Sequence, residues 1–246
     1  MNKQADDPTV FHVEQEPRVP EEPRAEPESD ALVDPWDGDE RLPLFFGEAW
    51  PAVSAFHGFL VEEGELRGLI GPREVSRLWE RHLLNSAAVV PFLPEQGVIV
   101  DVGSGAGLPG VVIAAMRPRA EILLVEPMER RVTWLEDVVE RTGLTNVEVR
   151  RARAQDLDGA VEADAVTARA VASLDKLYRW TAPLVRDGGS IVAMKGAKAV
   201  EELAAAAKVM RSVGLTDGQV HEATTIAGIE PTRVVSAVRG RGARVR

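Results

Sequence analysis

From Leu44 to about Leu69, apolar residues recur every three or four positions, and Phe45, Trp50, Val53, Phe56, Leu60 and Val61 make one face of a helix. Gly64 and Gly68 end or loosen it, and Pro72 opens a second helix with Val75, Leu78, Trp79, Leu83 and Leu84 along one side. Beyond residue 96 the pattern changes to short β-branched runs separated by helical ones. Strands are predicted at 98–102, 120–126, 146–150, 163–168 and 190–194, then near 219–226 and 232–238. Helices are predicted at 111–116, 128–142 (Val132, Leu135, Val138 and Val139 inward), near 174–185, and at 198–213. This alternation predicts an α/β fold, a mostly parallel seven-stranded sheet with helices on both faces. The last two strands have no crossover helix between them, which predicts an antiparallel edge.

The first strand runs into a glycine loop, Asp101-Val102-Gly103-Ser104-Gly105-Ala106-Gly107-Leu108-Pro109-Gly110. Glycines let the backbone turn sharply and approach a ligand closely, and Pro109 suits a first helical turn. The dinucleotide fingerprint G-x-G-x-x-G is similar, but Leu108 stands where its third glycine belongs. Asp101 at the strand end would repel a pyrophosphate. S-adenosylmethionine carries an ammonium and a sulfonium and has no phosphate, so it suits Asp101, Gly103 and Gly105 better. Glu126 ends the second strand, 25 residues after Asp101, where an acidic group accepts ribose hydroxyls. Both NAD and adenosylmethionine have such a ribose. Ala154-Gln155-Asp156 follow the third strand and Arg169 the fourth. Open α/β sheets bind ligands at that carboxyl edge, so four loops predict one adenosyl-ligand site.

Charge divides the chain unevenly. Residues 1–41 hold 13 acidic and 4 basic side chains and six prolines, whereas the remaining residues are nearly neutral. Composition therefore predicts a disordered acidic tail over 1–41, N-terminal helices over 42–96 packed on a ligand-binding core over 97–238, and a basic tail over 239–246. Cysteine is absent, which excludes disulfides, thiolate metal sites and cysteine nucleophiles, and the four histidines show no metal-ligand spacing. No apolar run approaches the roughly 20 residues of a membrane span, so a soluble cytoplasmic chain is expected. Arg73, Arg77 and Arg81 lie four residues apart and would stack on one helix face, solvated or facing RNA. His82 alone reads as a hydrogen-bonded structural residue.

Several of these stretches together resemble one family. The loop from Asp101 to Gly110, Arg81-His82-Leu83-Leu84-Asn85-Ser86, Arg153-Ala154-Gln155, Thr167-Ala168-Arg169-Ala170-Val171-Ala172 and Met194-Lys195-Gly196 are similar to motifs of the ribosomal RNA small subunit methyltransferase G family, also called glucose-inhibited division protein B. The resemblance spans roughly residues 44–238. It implies a class I, Rossmann-like methyltransferase fold and methylation of N7 of a guanine in the 530 loop of 16S rRNA, with S-adenosylmethionine as donor and 16S rRNA or the small ribosomal subunit as partner. It places Gly103 and Leu108 against the donor and Ala154-Gln155 beside its adenine, and makes Arg169 a binding-site residue. Gln155 stands where the family usually carries an acidic residue, so Asp156 is a rival for the adenine contact.

Guanine N7 has an exposed lone pair and no proton to lose, so no catalytic base is expected. Consistently, the chain lacks both the Asn/Asp-Pro-Pro-aromatic motif of adenine amino-group methyltransferases and the cysteine that pyrimidine C5 chemistry needs. Arg169 can hold the donor carboxylate as a bidentate pair or touch RNA, and the first role is favoured. Arg73, Arg77, Arg81 and Lys195 are the candidates for RNA contact. A small-molecule methyltransferase, an NAD-dependent oxidoreductase and a non-catalytic RNA-binding scaffold are the competing readings.

Overall fold

The seven apolar runs form one sheet in the computed structural model, which describes residues 33–242. Its strands are β1 (Gly97–Val102), β2 (Ala120–Val125), β3 (Val147–Arg150), β4 (Ala163–Arg169), β5 (Val185–Lys195), β6 (Leu215–Ala223) and β7 (Thr232–Arg239). The spatial order is β3-β2-β1-β4-β5-β7-β6. β1 to β5 pair in parallel, whereas β7 is antiparallel to both β5 and β6. The order reverses between β1 and β4, which opens a crevice at their carboxyl ends.

Alternation along each strand sends side chains to two faces. Ile99, Ile122, Leu124, Ala165 and Val234 pack with helices α1 (Arg41–Phe46), α2 (Trp50–Glu63), α3 (Gly110–Met116) and α4 (Glu129–Thr142). Val100, Val125, Val166, Ile191 and Val235 pack with α5 (Leu174–Thr181) and α6 (Ala199–Ser212). The N-terminal helices thus share a layer with α3 and α4, and Phe56 and Leu60 of α2 are fully buried. Val61, expected on the apolar face, is exposed instead.

Several expectations need correction. The stretch Arg41–Glu63 is long and apolar enough by length and composition to cross a membrane, contrary to the sequence reading. Its apolar face is taken up by the core through Leu42, Phe46, Val53, Phe56 and Leu60. Residues 34–41, expected in the disordered acidic tail, are folded. Asp34 is buried, and its carboxylate accepts the backbone N–H of Trp79 at 2.9 Å and of Trp36 at 3.0 Å. Residues 1–32 lie outside the described residues, as do 243–246 of the basic tail. Arg239, assigned to that tail, is instead the buried last residue of β7 and donates to the Val213 carbonyl.

The fifth strand, predicted at 190–194, starts earlier at Val185 and takes in Gly188 and Gly189 at a register shift against β4. A Cβ on Gly189 would sit 2.8 Å from the Asp164 carbonyl oxygen, so that close backbone approach needs glycine. The helix expected after Pro72 is not a regular α-helix. It is a turn, then a 3-10 turn over Val75–Arg77, then a π-helical turn over Trp79–Leu84.

Candidate active site

The glycine loop between β1 and α3 is held from three sides. Gly103 and Ser104 both donate their N–H to the Val125 carbonyl, at 2.8 and 3.1 Å. Trp134 of α4 donates its indole N–H to the Ala106 carbonyl at 2.9 Å. Gly110 donates to Asp101 Oδ2 at 3.1 Å. Gly103 has φ +72°, and a Cβ there would lie 2.7 Å from Val171 Cγ2 in the loop after β4. The glycine is required by that neighbouring loop as well as by any ligand.

Above this loop lies a cavity of about 760 Å³, within the range of small-molecule sites. Gly103, Gly105, Leu108, Glu126, Ala154, Gln155 and Arg169 all line it. So seven of the eight residues expected to meet the methyl donor share one cavity, drawn from the loops after β1, β2, β3 and β4.

Asp101 is the exception. Its side chain is fully buried beneath the loop and does not reach the cavity wall. A strand buried on both faces leaves the direction of an inward carboxylate undecided in the sequence, and here it turns toward the first N–H of α3. Burial pushes its pKa up to about 7, against the opposing effects of the Gly110 N–H and the Arg169 charge. The carboxyl group anchors the helix start from below the loop, with the Arg169 charge as its cationic neighbour.

Glu126, 2 % exposed, accepts the Gly105 N–H at 3.0 Å and the Met128 N–H at 2.9 Å, one on each oxygen. Each oxygen retains a free lone pair. Arg131 Nη1 stands 3.8 Å from the same carboxylate. After β3, a 3-10 turn over Ala154–Leu157 separates the two adenine candidates. Gln155 lines the cavity, whereas Asp156 turns back and accepts the Arg153 N–H at 3.1 Å.

Arg169 ends β4 with its guanidinium against the π-helical turn. Nη1 donates to the Arg81 carbonyl at 3.2 Å and to Asn85 Oδ1 at 3.4 Å, while Nη2 lies 2.9 Å from His82 Nδ1. Burial pulls its pKa down to about 10, and the Asp101 and Glu74 charges oppose that. His82 Nε2 in turn lies 2.8 Å from Glu74 Oε2. Glu74, His82, Met128, Arg131, Arg153 and Trp180 complete much of the wall and were missed as site residues. Only His82 and Arg153 left a signal, because both fall inside motifs quoted for the family resemblance.

The RNA candidates are arranged differently from expectation. Arg73, Arg77 and Arg81 are exposed, but the 3-10 and π turns break the helical phase that would stack them. Arg77 pairs with Glu80 at 3.3 Å and Arg81 with Glu74 at 3.2 Å. Lys195 is turned inward. Its ammonium donates to the Ala172 carbonyl at 2.6 Å and pairs with Glu202 at 2.7 Å, which ties down the loop after β4. Among the described residues no group of three or more His, Asp or Glu could hold a metal.

A family model described as rRNA small subunit methyltransferase G matches residues 50–227. The ribosomal RNA small subunit methyltransferase G of Beutenbergia cavernae is 50% identical over 189 residues, covering 77% of this chain and 89% of the relative. That of Thermobifida fusca is 46% identical over 198 residues, covering 76% and 82%. Among solved structures, an S-adenosylmethionine-dependent O-methyltransferase from Thermotoga maritima overlays with a TM-score of 0.51 at 16% identity, covering 74% of this chain and 71% of that one. A precorrin-6y C5,15-methyltransferase from Geobacter metallireducens overlays with a TM-score of 0.50 at 18% identity, covering 70% and 91%. These two likenesses concern the fold alone, the class I methyltransferase architecture.

Proposed function

The chain belongs to the rRNA small subunit methyltransferase G family, and from that premise we propose that it transfers a methyl group from S-adenosylmethionine to N7 of a guanine in the 530 loop of 16S rRNA. The observation that carries the reading is the flanking of one glycine loop by Glu126 and Arg169. They end β2 and β4, the two strands beside β1, and line the same cavity. An adenosyl amino acid presents a ribose diol and a carboxylate, which match an acidic group and a guanidinium in that order.

The residues present fit this donor. Glu126 would take the ribose hydroxyls with its free lone pairs, and Ala154 and Gln155 would border the adenine. Gly103, Gly105 and Leu108 would lie under the donor, and Arg169 would hold its carboxylate. S-adenosylmethionine supplies an electrophilic methyl group on sulfur. The chain's task is to place guanine N7 in line with it and to exclude water, since a nitrogen lone pair without a proton requires no base. The buried Asp101 acts at one remove by fixing the start of α3, and Lys195 by fixing the loop that carries Val171. RNA contact would then fall to the exposed Arg73, Arg77 and Arg81, which neutralise phosphates without reading bases.

The test is methyl transfer from labelled donor to small ribosomal subunits and to naked 16S rRNA, with the product base identified by mass spectrometry. Label in 7-methylguanosine of the 530 loop is expected; absence of incorporation into both substrates would overturn the proposal.

A further inference from the structure

The cavity wall carries a chain of three polar side chains to which the reading above gives only one role, that of Arg169. A guanidinium can only donate hydrogen bonds. His82 Nδ1, 2.9 Å from Arg169 Nη2, must therefore be the bare ring nitrogen. The ring proton then sits on Nε2 and is donated to Glu74 Oε2 at 2.8 Å. Direction is thus set along the whole chain, Arg169 to His82 to Glu74. Arg81 holds the other carboxylate oxygen of Glu74 at 3.2 Å.

The π-helical turn is what makes this meeting possible, because its wider winding brings the Arg81 carbonyl, the His82 ring and the Asn85 amide to one guanidinium. Of the five N–H groups of Arg169, these three acceptors take both on Nη1 and one on Nη2. The pair left for a ligand is the Nε–H and the second N–H of Nη2.

We propose that Glu74 and His82 are positioning residues, which hold Arg169 in the orientation that receives the donor carboxylate, and that donor binding weakens when His82 gains a proton. The proposal rests on the reading of Arg169 as the carboxylate's partner. Protonated His82 would turn an N–H against the Arg169 N–H and add a positive charge beside Arg169 and Arg81. The charged groups around the ring are Glu74 from the preceding turn, Arg81 from its own turn and Arg169 from the end of β4. Asp101 of β1 faces Arg169 in turn. Burial, then the Arg169 charge, hold the imidazole below its ordinary pKa, with Glu74 opposing, so the ring is neutral at pH 7.

The experiment is calorimetric binding of S-adenosylmethionine and S-adenosylhomocysteine to the full chain without RNA, between about pH 5.5 and 8. It compares the parent with His82→Phe, His82→Asn and Glu74→Leu. His82→Phe removes the acceptor and should weaken binding at neutral pH by about tenfold or more. His82→Asn supplies a side-chain oxygen that accepts from Arg169 but cannot titrate. It should bind within about threefold of the parent and lose the parent's weakening on the acid side. Glu74→Leu should fall between the two. Protonation of Asp101 is common to parent and His82→Asn, so the difference between their pH profiles isolates His82. With RNA and saturating donor, kcat should stay near the parent's while KM for the donor rises, a split that a merely structural loss would not produce.

Parent-like affinity in His82→Phe, or the parent's pH profile in His82→Asn, overturns the proposal. Should His82→Phe fail to fold, Glu74→Leu decides, because that side chain is partly exposed, and unchanged affinity there also overturns it. If the parent itself binds neither compound, the proposed function falls and this inference with it. If the parent binds and all variants match it, only this inference falls.

Discussion

The indole N–H of Trp134 donates to the carbonyl of Ala106 at 2.9 Å, tying the middle of α4 to the apex of the glycine loop. The ring is fully buried, while Ala106 lies at the cavity wall and is half-buried. Trp134→Phe keeps most of the packing and leaves the Ala106 carbonyl without that donor. At a half-buried acceptor the loss is that of an ordinary hydrogen bond, about 0.5–1.5 kcal/mol. Thermal unfolding should show that loss, and calorimetry should show weaker donor binding, because the loop forms the cavity floor. Unchanged values of both would remove Trp134 from the support of the loop.

Two of the loop's four glycines, Gly103 and Gly105, should respond differently to alanine. At Gly103 the left-handed backbone and a contact of 2.7 Å with Val171 act together. At Gly105 the backbone is also left-handed, but the nearest atom to a new Cβ is 3.7 Å away. Gly105→Ala should therefore cost only the conformational term, about 1–2 kcal/mol, and Gly103→Ala more. The added Val171→Ala change should recover part of the Gly103→Ala loss in denaturant unfolding and none of the Gly105→Ala loss.

Asp101 gives the ligand-free protein a pH dependence of defined sign. Its folded pKa of about 7 lies above the ordinary 3.8, so the folded state holds the proton more tightly than the unfolded chain. That contribution to stability is fully present below about pH 4 and is lost as pH rises through about 7. Asp101→Asn keeps an oxygen for the Gly110 N–H and cannot ionise. The melting temperature of Asp101→Asn relative to the parent should therefore climb from pH 5 to pH 8. A gap that stays constant across that range would mean Asp101 does not carry this titration.

Asp34 tests where the folded chain starts. Its carboxylate satisfies the N–H of Trp79 at the start of the π-helical turn, 45 residues away in sequence. Asp34→Ala leaves that buried N–H unpaired and should destabilise by about 1–3 kcal/mol. Because the turn carries His82 and leads directly into Asn85, donor affinity should fall too. A variant as stable as the parent would return residues 34–40 to the role that composition suggested.

What the sequence revealed, and what it hid, follows from the range of the interactions. Strands buried on both faces leave continuous β-branched runs such as Val98-Ile99-Val100, so the sheet and its ligand-bearing edge were legible. Leu108 and Arg169 were legible as cavity residues because each lies in a motif at a strand end. The direction of Asp101 was not, since a doubly buried strand gives no polar side to read. The arginine row at 73, 77 and 81 looked helical because spacing cannot separate an α-helix from consecutive 3-10 and π turns. Asp34 looked like tail because its neighbours are prolines and carboxylates, while its partner Trp79 is remote. Lys195 read as an RNA contact because Glu202 and Ala172, which hold it inward, meet it only in the folded chain.

Gln155 carries the last expectation. It lines the cavity, while its neighbour Asp156 caps its own 3-10 turn through the Arg153 N–H. If Gln155 borders the adenine, its amide oxygen can accept from the exocyclic amino group as a neutral partner. Gln155→Glu would make that bond charge-assisted, and such bonds are worth about 1.5–3 kcal/mol against 0.5–1.5 for neutral ones. Donor affinity measured by calorimetry should therefore rise in Gln155→Glu and fall modestly in Gln155→Ala. Asp156→Ala should leave affinity alone and cost a little stability, since its bond is exposed. Loss of affinity in Asp156→Ala with none in Gln155→Ala would reverse the assignment and require the 3-10 turn to reorganise around the donor.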